Sequence, residues 1–368
     1  MNLEAITVQS MLQRMSRGEA FTILDIRSKS EFQNWQLKGM SLQGVNIPYF
    51  DFKENEVNDR LLPETSHVVL ISVYDRAVER VASVLQRKGY RVSHLQGGPF
   101  EWDDFYIETT IFVNPRMKLM QIHRLASGCL SYVLITANQA IIVDPSRHIE
   151  QYLTIAEREH AKITYIIDTH VHTDHISGAL ALLSRTNARY LIAHGEVRQS
   201  ELPVHFLKQG TMHIGSIDLH VMILDTEGET GGSTLFVVEN LVMLSGDVLT
   251  VGEVGIADLQ GSAQEWADKL FNVVLRELKN LSDDVVVLPA HFADIQAVNA
   301  GGYVGAVLGD LRLGAEAMAR SKVLTFFDRP KGFVAALHPV SEEIRDVNLG
   351  VQSADRTQAE YLERDIRL

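Results

Sequence analysis

The sequence predicts an α/β protein in two parts: a parallel sheet covered by helices on both faces, then a two-sheet sandwich flanked by helices. Three observations predict it. Strands alternate with helices over residues 1–112, the pattern of a parallel sheet. Beyond residue 117, strand-like segments both precede and follow one cluster of histidines. The chain's 368 residues are enough for two or more hydrophobic cores.

Bulk composition fits that architecture. Hydrophobic content of 46% and charged content of 22% are those of an ordinary soluble domain. The net charge of −13 is spread along the chain, which disfavours nucleic acid and anionic membrane surfaces as partners. A single cysteine, Cys129, rules out an intramolecular disulfide. Met1-Asn2-Leu3-Glu4-Ala5 lacks the basic region of a secretory leader, and no run approaches the ~20 apolar residues of a membrane span. A cytoplasmic homo-oligomer acting on a small molecule is expected.

Taken in order, residues 4–17 carry apolar positions at helical spacing (Ile6, Met11, Leu12, Met15), stopped by Gly18. Residues 21–27 form a short strand ending in Asp25 and Arg27. A second strand is expected at 68–71, a helix at 76–88 and a third strand at 92–95. A joint follows at 103–118, with the boundary near 113–117. Strands are then expected at 120–125, 131–136 and 139–143, with Asn138 in a tight turn. A helix at 149–160 leads to a buried strand at 163–167 and a helix at 176–183. Segments 190–193, 217–224, 233–239 and 241–245 read as strands of a second sheet.

Between the strand at 163–167 and the next helix lies Thr169-His170-Val171-His172-Thr173-Asp174-His175. A strand-to-helix turn splays alternate side chains towards one point. Imidazole with carboxylate suits zinc, iron or manganese. Cys129 reads as a packed small residue on a strand, and His194, His205, His213 and His220 as surface residues.

Two resemblances follow from these motifs. Leu24-Asp25-Ile26-Arg27, Asn46-Ile47-Pro48, Lys88-Gly89-Tyr90 and Leu95-Gln96-Gly97-Gly98 with Trp102 resemble a rhodanese domain. Ser72 stands at that family's catalytic cysteine, Asp75 at its loop glycine and Ala77 at its usual arginine. A hydroxyl cannot carry sulfane sulfur, and Asp75 would repel an anionic substrate. The resemblance therefore implies a degenerate domain used for docking, dimerisation or covering.

The second part resembles the metallo-β-lactamase superfamily. His170, His172, Asp174 and His175 match its HxHxDH motif, Ser245-Gly246-Asp247 its metal-bridging Asp loop, and Leu288-Pro289-Ala290-His291 its last His loop. The resemblance implies an αββα sandwich at 117–335, with residues 336–368 as a tail packed on it. Gly128-Cys129-Leu130-Ser131-Tyr132, Val143-Asp144-Pro145 and Glu343-Ile344-Arg345-Asp346-Val347-Asn348-Leu349-Gly350 are similar to persulfide dioxygenases, relatives of glyoxalase II. One position departs: Gly228-Glu229-Thr230 places Glu229 where the family has a histidine ligand.

That resemblance implies persulfide oxidation first, with a dinuclear hydrolase as the alternative. With one Fe(II) on His170, Glu229 and Asp247, a thiol persulfide would be oxidised by O2 to sulfite. With two ions, Zn(II) or Fe(II), His170, His172, Glu229 and Asp247 would hold one and Asp174, His175, His291 and Asp247 the other. A water oriented by Asp174 would then hydrolyse a thioester or lactone. A non-catalytic role as a metal- or sulfur-binding sensor stands beside both, because Ser72 and Glu229 each alter a reactive centre. Asp258, Phe292 and a glycine-rich loop at Gly301-Gly302 and Gly305 are expected near the site, whereas Arg312, Arg320 and Lys322 read as a solvated helix face, with contact to a glutathione carboxylate as the alternative.

Overall fold

The computed structural model describes residues 3–37, 44–52, 62, 67–197, 202–224, 233–249, 278–292, 297–313 and 340–365. The chain divides into two compact units. One is Met1–Ile107 with Arg124–Ser127 and Asp294–Gln296; the other is Glu108–His123, Gly128–Ala293 and Ala297–Leu368.

The first unit runs β1 (Glu4–Ile6), α1 (Val8–Met15), β2 (Phe21–Asp25), α2 (Lys29–Asn34), β3 (Gly44–Asn46), β4 (His67–Ile71), α3 (Asp75–Arg87), β5 (Arg91–Leu95) and α4 (Gly98–Asp103). Its five strands form an all-parallel sheet in the order β1-β5-β4-β2-β3. β2 and β4 are buried at every position, as strands covered on both faces must be. α3 buries Val78, Val81, Val84 and Leu85, three to four residues apart, in one cluster with Val68, Leu70 and Val92. Each such side chain contributes about 1.5–3 kcal/mol.

The expected helix over 4–17 is corrected. Residues 4–6 pair with β5, with Ile6 opposite Leu95, and the helix begins only after Thr7, whose hydroxyl accepts the Ser10 N–H at 3.1 Å. An open sheet edge captured Ile6, and the cap at Thr7 set the helix start.

The second unit continues with β6 (Tyr106–Val113), β7 (Lys118–Arg124), β8 (Cys129–Thr136), β9 (Gln139–Val143), α5 (Glu150–Arg158), β10 (Lys162–Ile167), α6 (Ala179–Arg185), β11 (Arg189–Ile192), β12 (Val204–Phe206), β13 (Gly210–Ile214), β14 (Ile217–Ile223), β15 (Thr234–Val238), β16 (Val242–Gly246), β17 (Val286–Pro289), β18 (Ala306–Val307), α7 (Ser341–Asn348) and α8 (Arg356–Asp365). A seven-stranded sheet has the order β12-β11-β10-β9-β8-β7-β6, and a six-stranded sheet β13-β14-β15-β16-β17-β18. This is the expected sandwich. Ala137 and Asn138 make the expected turn between β8 and β9, both at positive φ (44° and 60°).

Two expectations change here. Residues 190–193 were expected in the second sheet, but β11 lies in the first, parallel to β10 with Tyr190 opposite Ile166. β10, α6 and β11 form a βαβ crossover, which returns the chain beside the strand it left. The helix expected at 176–183 starts later, at Ala179, because the preceding residues are held in loop bonds. The Ser177 N–H donates to Asn348 Oδ1 at 2.8 Å and the Gly178 N–H to the Pro145 carbonyl at 2.6 Å. Near the chain's end, Val340, Ile344, Ala359 and Leu362 form a small core with Ile176. Among the described residues no helix is long and apolar enough to cross a membrane.

Candidate metal centre

Three loops meet in the second unit, each at the C-terminal end of a strand. β10 runs into residues 168–178, β16 into Asp247, and β17 into His291. β16 and β17 are parallel neighbours with Gly246 opposite Pro289, so Asp247 and His291 emerge at one edge. The Ala290 N–H donates to the Gly246 carbonyl at 2.9 Å. Gly246 has φ 56°, and a Cβ there would come within 2.8 Å of Thr169 Oγ1, so only glycine lets this loop meet the histidine loop.

The side chains converge accordingly. Asp247 Oδ2 lies 3.2 Å from His170 Nε2, and its other oxygen 2.6 Å from His291 Nδ1. Asp174 lies 3.1 Å from His175 Nδ1 and 2.8 Å from His291 Nε2. The His172 ring centroid is 4.3 Å from that of His170 and 4.2 Å from that of His175. Cys129, Asp174, His175 and His291 offer ligand atoms all within 4.8 Å of one another.

Burial works against charge at these groups, but the pairs override it. Asp247 beside His170 and His291, and Asp174 beside His291 and His175, are both held far below the usual carboxylate range. Burial would lower His170, yet Asp247 raises it to about 9. Against the same burial, His291 is raised by Asp174 and Asp247, and His175 by Cys129 and Asp174. His172 goes the other way, to about 4, through burial and the neighbouring His175 and His170.

The donor set fits a divalent ion. Both ring nitrogens of His172 and Nε2 of His175 are buried without a hydrogen-bond partner, and His291 Nε2 approaches Asp174 without the alignment of a hydrogen bond. Buried nitrogens left this way cost free energy unless a ligand satisfies them. Two rings also have a polar neighbour at one nitrogen. Thr169 Oγ1 lies 2.9 Å from His170 Nδ1, and Asp144 Oδ1 lies 3.3 Å from His172 Nε2. That arrangement sets which nitrogen is offered to a metal.

Several supporting residues escaped sequence reasoning. Asp144, at φ 50°, accepts the Thr169 N–H at 2.7 Å and the Thr169 hydroxyl. Asp168, raised to about 7 by burial and by Asp144, accepts from Tyr190 at 2.7 Å and from Ser177 at 2.9 Å. Glu196 accepts the Val171 N–H at 2.9 Å. Asn348 Nδ2 donates to the His172 and His175 carbonyls, both at 2.9 Å. Glu363 accepts the Ile176 N–H at 3.0 Å while paired with Arg147 at 2.8 Å. Asp144, Asp168 and Asn348 carried a sequence signal, because they lie within the family-like motifs; Glu196 and Glu363 carried none.

Of the expected metal positions, the structure brings together His170, His172, Asp174, His175, Asp247 and His291. Glu229, Asp258, Arg320 and Lys322 lie outside the described residues. Cys129 is buried on β8, as expected, but its sulfur lies 3.9 Å from Asp174 Oδ2. Phe292 is buried against the His123 ring. Arg312 pairs with Asp283 and donates to the Leu278 and Leu281 carbonyls, so its charge is used within the fold. In the first unit, Ser72 Oγ accepts the Tyr74 N–H at 3.0 Å, Asp75 opens α3 and Ala77 is buried.

Comparison with known proteins agrees with this geometry. The profile of the metallo-beta-lactamase superfamily matches residues 125–291, and that of the rhodanese-like domain residues 7–104. A hydroxyacylglutathione hydrolase of Actinobacillus pleuropneumoniae serotype 3 (strain JL03) is 30% identical over 154 residues, 42% of this chain. The chain spans 61% of that relative's length. The probable metallo-hydrolase YqgX of Bacillus subtilis (strain 168) is 30% identical over 183 residues, covering 44% of this chain and 83% of the relative. A metallo-beta-lactamase crystal structure from Staphylococcus aureus subsp. aureus COL shares the fold, with a TM-score of 0.53 and 24% identity over 64% of this chain and 72% of that one.

Proposed function

This chain belongs to the metallo-β-lactamase superfamily, and from that premise we propose that it is a metal-dependent hydrolase of a thioester or lactone. The observation that carries the reading is Asp247: its two oxygens face His170 and His291, so one carboxylate spans both groups of donors. His170, His172, Glu229 and Asp247 would hold one ion, and Asp174, His175, His291 and Asp247 the other. Two such ions, Zn(II) or Fe(II), supply Lewis acidity towards a carbonyl and a hydroxide at neutral pH.

The chain's own residues position and hold protons. Asp174 is kept anionic by His291 and His175, so it can accept a hydrogen bond from the attacking water and orient it. Asp144 fixes the His172 ring, and Thr169 the His170 ring. The similarity to hydroxyacylglutathione hydrolases supports a thioester of a small thiol as substrate. Domain bounds of 1–112, 117–335 and 336–368 belong to the same proposal, supported by the packing of Val340, Ile344, Ala359 and Leu362 around Ile176.

A second reading is oxidation of a low-molecular-weight thiol persulfide to sulfite by O2 on a single Fe(II). The observation that favours it is the rhodanese-like domain at residues 7–104, a sulfur-handling fold fused to the metal domain. Elemental analysis with paired assays separates the two. Two ions per chain with thioester hydrolysis and no O2 uptake are expected. One iron with O2 uptake on glutathione persulfide would overturn the hydrolase in favour of the dioxygenase, and a metal-free, inactive chain would leave a binding role. Glu229→His is expected to raise iron retention; unchanged iron would remove Glu229 from the ligand set.

A further inference from the structure

Cys129 is built into the metal centre by backbone pairing. It is an isolated antiparallel bridge partner of His291, flanked by the Leu130 N–H to the Ala290 carbonyl (2.7 Å) and the Phe292 N–H to the Gly128 carbonyl (2.9 Å). Bonds in those flanking positions make Cys129 and His291 a non-hydrogen-bonded pair, the closer kind, with both side chains on one face. The close approach requires Gly128: its φ is 72°, and a Cβ there would overlap the Phe292 carbonyl oxygen. The backbone therefore aims the thiol where it aims the imidazole of His291.

We propose that Cys129 is a metal ligand, its thiolate joining Asp174, His175, His291 and the shared Asp247 around one ion. The inference rests on the metal-dependent reading above. Four ligand atoms within 4.8 Å of one another can close on one ion. The 3.9 Å from Cys129 Sγ to Asp174 Oδ2 is near the ~3.5 Å that tetrahedral bonds of about 2.3 and 2.0 Å require. A second observation points to a ligand here: His175 is 1% exposed, and its Nε2 has no hydrogen-bond partner. Cys129 is itself 3% exposed, as a shielded ligand would be. As the metal–sulfur bond forms, the thiol proton leaves to solvent. The thiolate makes this ion's site softer and more anionic than an all-imidazole and carboxylate set, favouring zinc or ferrous iron over manganese or magnesium.

The test is cobalt substitution of the full chain. Metal-free protein titrated with Co(II) is expected to develop both visible ligand-field bands and a near-ultraviolet sulfur-to-cobalt charge-transfer band. The band is assignable, because the chain has no other cysteine. Cys129→Ser is expected to keep the visible bands and lose the near-ultraviolet one. X-ray absorption of the zinc-loaded wild type, which needs no variant, should show a sulfur neighbour at about 2.3 Å. Cobalt bound with no charge-transfer band, or zinc with only nitrogen and oxygen neighbours, would overturn the thiolate ligand and leave the metal-dependent reading standing. Failure to bind cobalt or zinc at all would overturn both.

Discussion

Removing the Asn348 side chain should show how the histidine loop is held. Its amide is buried, donates to the His172 and His175 carbonyls at 2.9 Å each, and accepts the Ser177 N–H at 2.8 Å. One side chain from α7 thereby satisfies three backbone groups of the histidine loop. A hydrogen bond contributes about 1 kcal/mol net, and stranding a buried partner costs about 1–3 kcal/mol. Asn348→Ala removes three bonds and leaves their partners behind, so a loss of about 3–5 kcal/mol is expected. At about 2–4 °C per kcal/mol for a domain of this size, the metal domain's melting temperature should fall by about 10 °C. Calorimetry on metal-free protein reads the change, and zinc titration should show weakened affinity, because the carbonyls belong to two expected ligands. Asn348→Asp should be no better, since it loses both donors and sets a charge against two carbonyl oxygens. A loss under about 1 kcal/mol in Asn348→Ala with unchanged zinc affinity would refute the reasoning.

Three further outcomes are expected. Glu363→Ala leaves the Arg147 guanidinium, 10% exposed, without its carboxylate and the Ile176 N–H without its acceptor, which should cost about 3–5 kcal/mol by denaturant unfolding; a cost below about 1 kcal/mol would count against the buried pair. The metal-free protein should hold protons on its raised histidines at neutral pH, His170 up to about 9, so metal binding must displace them. Zinc affinity should therefore rise with pH up to about 9, with proton release at pH 7 detected by calorimetry in two buffers; the absence of release would refute it. The sign for metal-free stability is the reverse, since a raised histidine stabilises fully below about pH 6.5 and that contribution is lost as pH rises through about 9. Ser72→Cys should leave thiosulfate turnover at background, because Asp75 and Ala77 remain; robust sulfur transfer would show that the loop needs only its cysteine.

Much of the fold was legible because its signals are local. β2, β4 and β10 are short apolar runs, and α3 repeats its apolar positions every three or four residues. The histidine cluster is equally local: His170, His172, Asp174 and His175 share one turn, and their chemistry is plain before any partner is known. Sheet membership was not local. Nothing in residues 190–193 says which sheet β11 joins; pairing with β10 decided it. Residues 4–6 have helical spacing but were claimed by the edge of β5.

The sequence by itself determined the fold class and the residue types gathered at the candidate metal site. Each of those is a matter of residue type at a position. Only the tertiary structure decided which atoms face one another. It placed Asp144 behind His172, Asn348 and Glu363 beneath a loop far from them in sequence, and Asp247 between His170 and His291. It also set Cys129 against His291 through a backbone bridge that no periodicity announces. The physical reason is that a single polar side chain satisfying a distant backbone group leaves no pattern along the chain. Its partner is chosen by burial and by the need to pair every buried N–H and carbonyl, and that need exists only once the chain has folded.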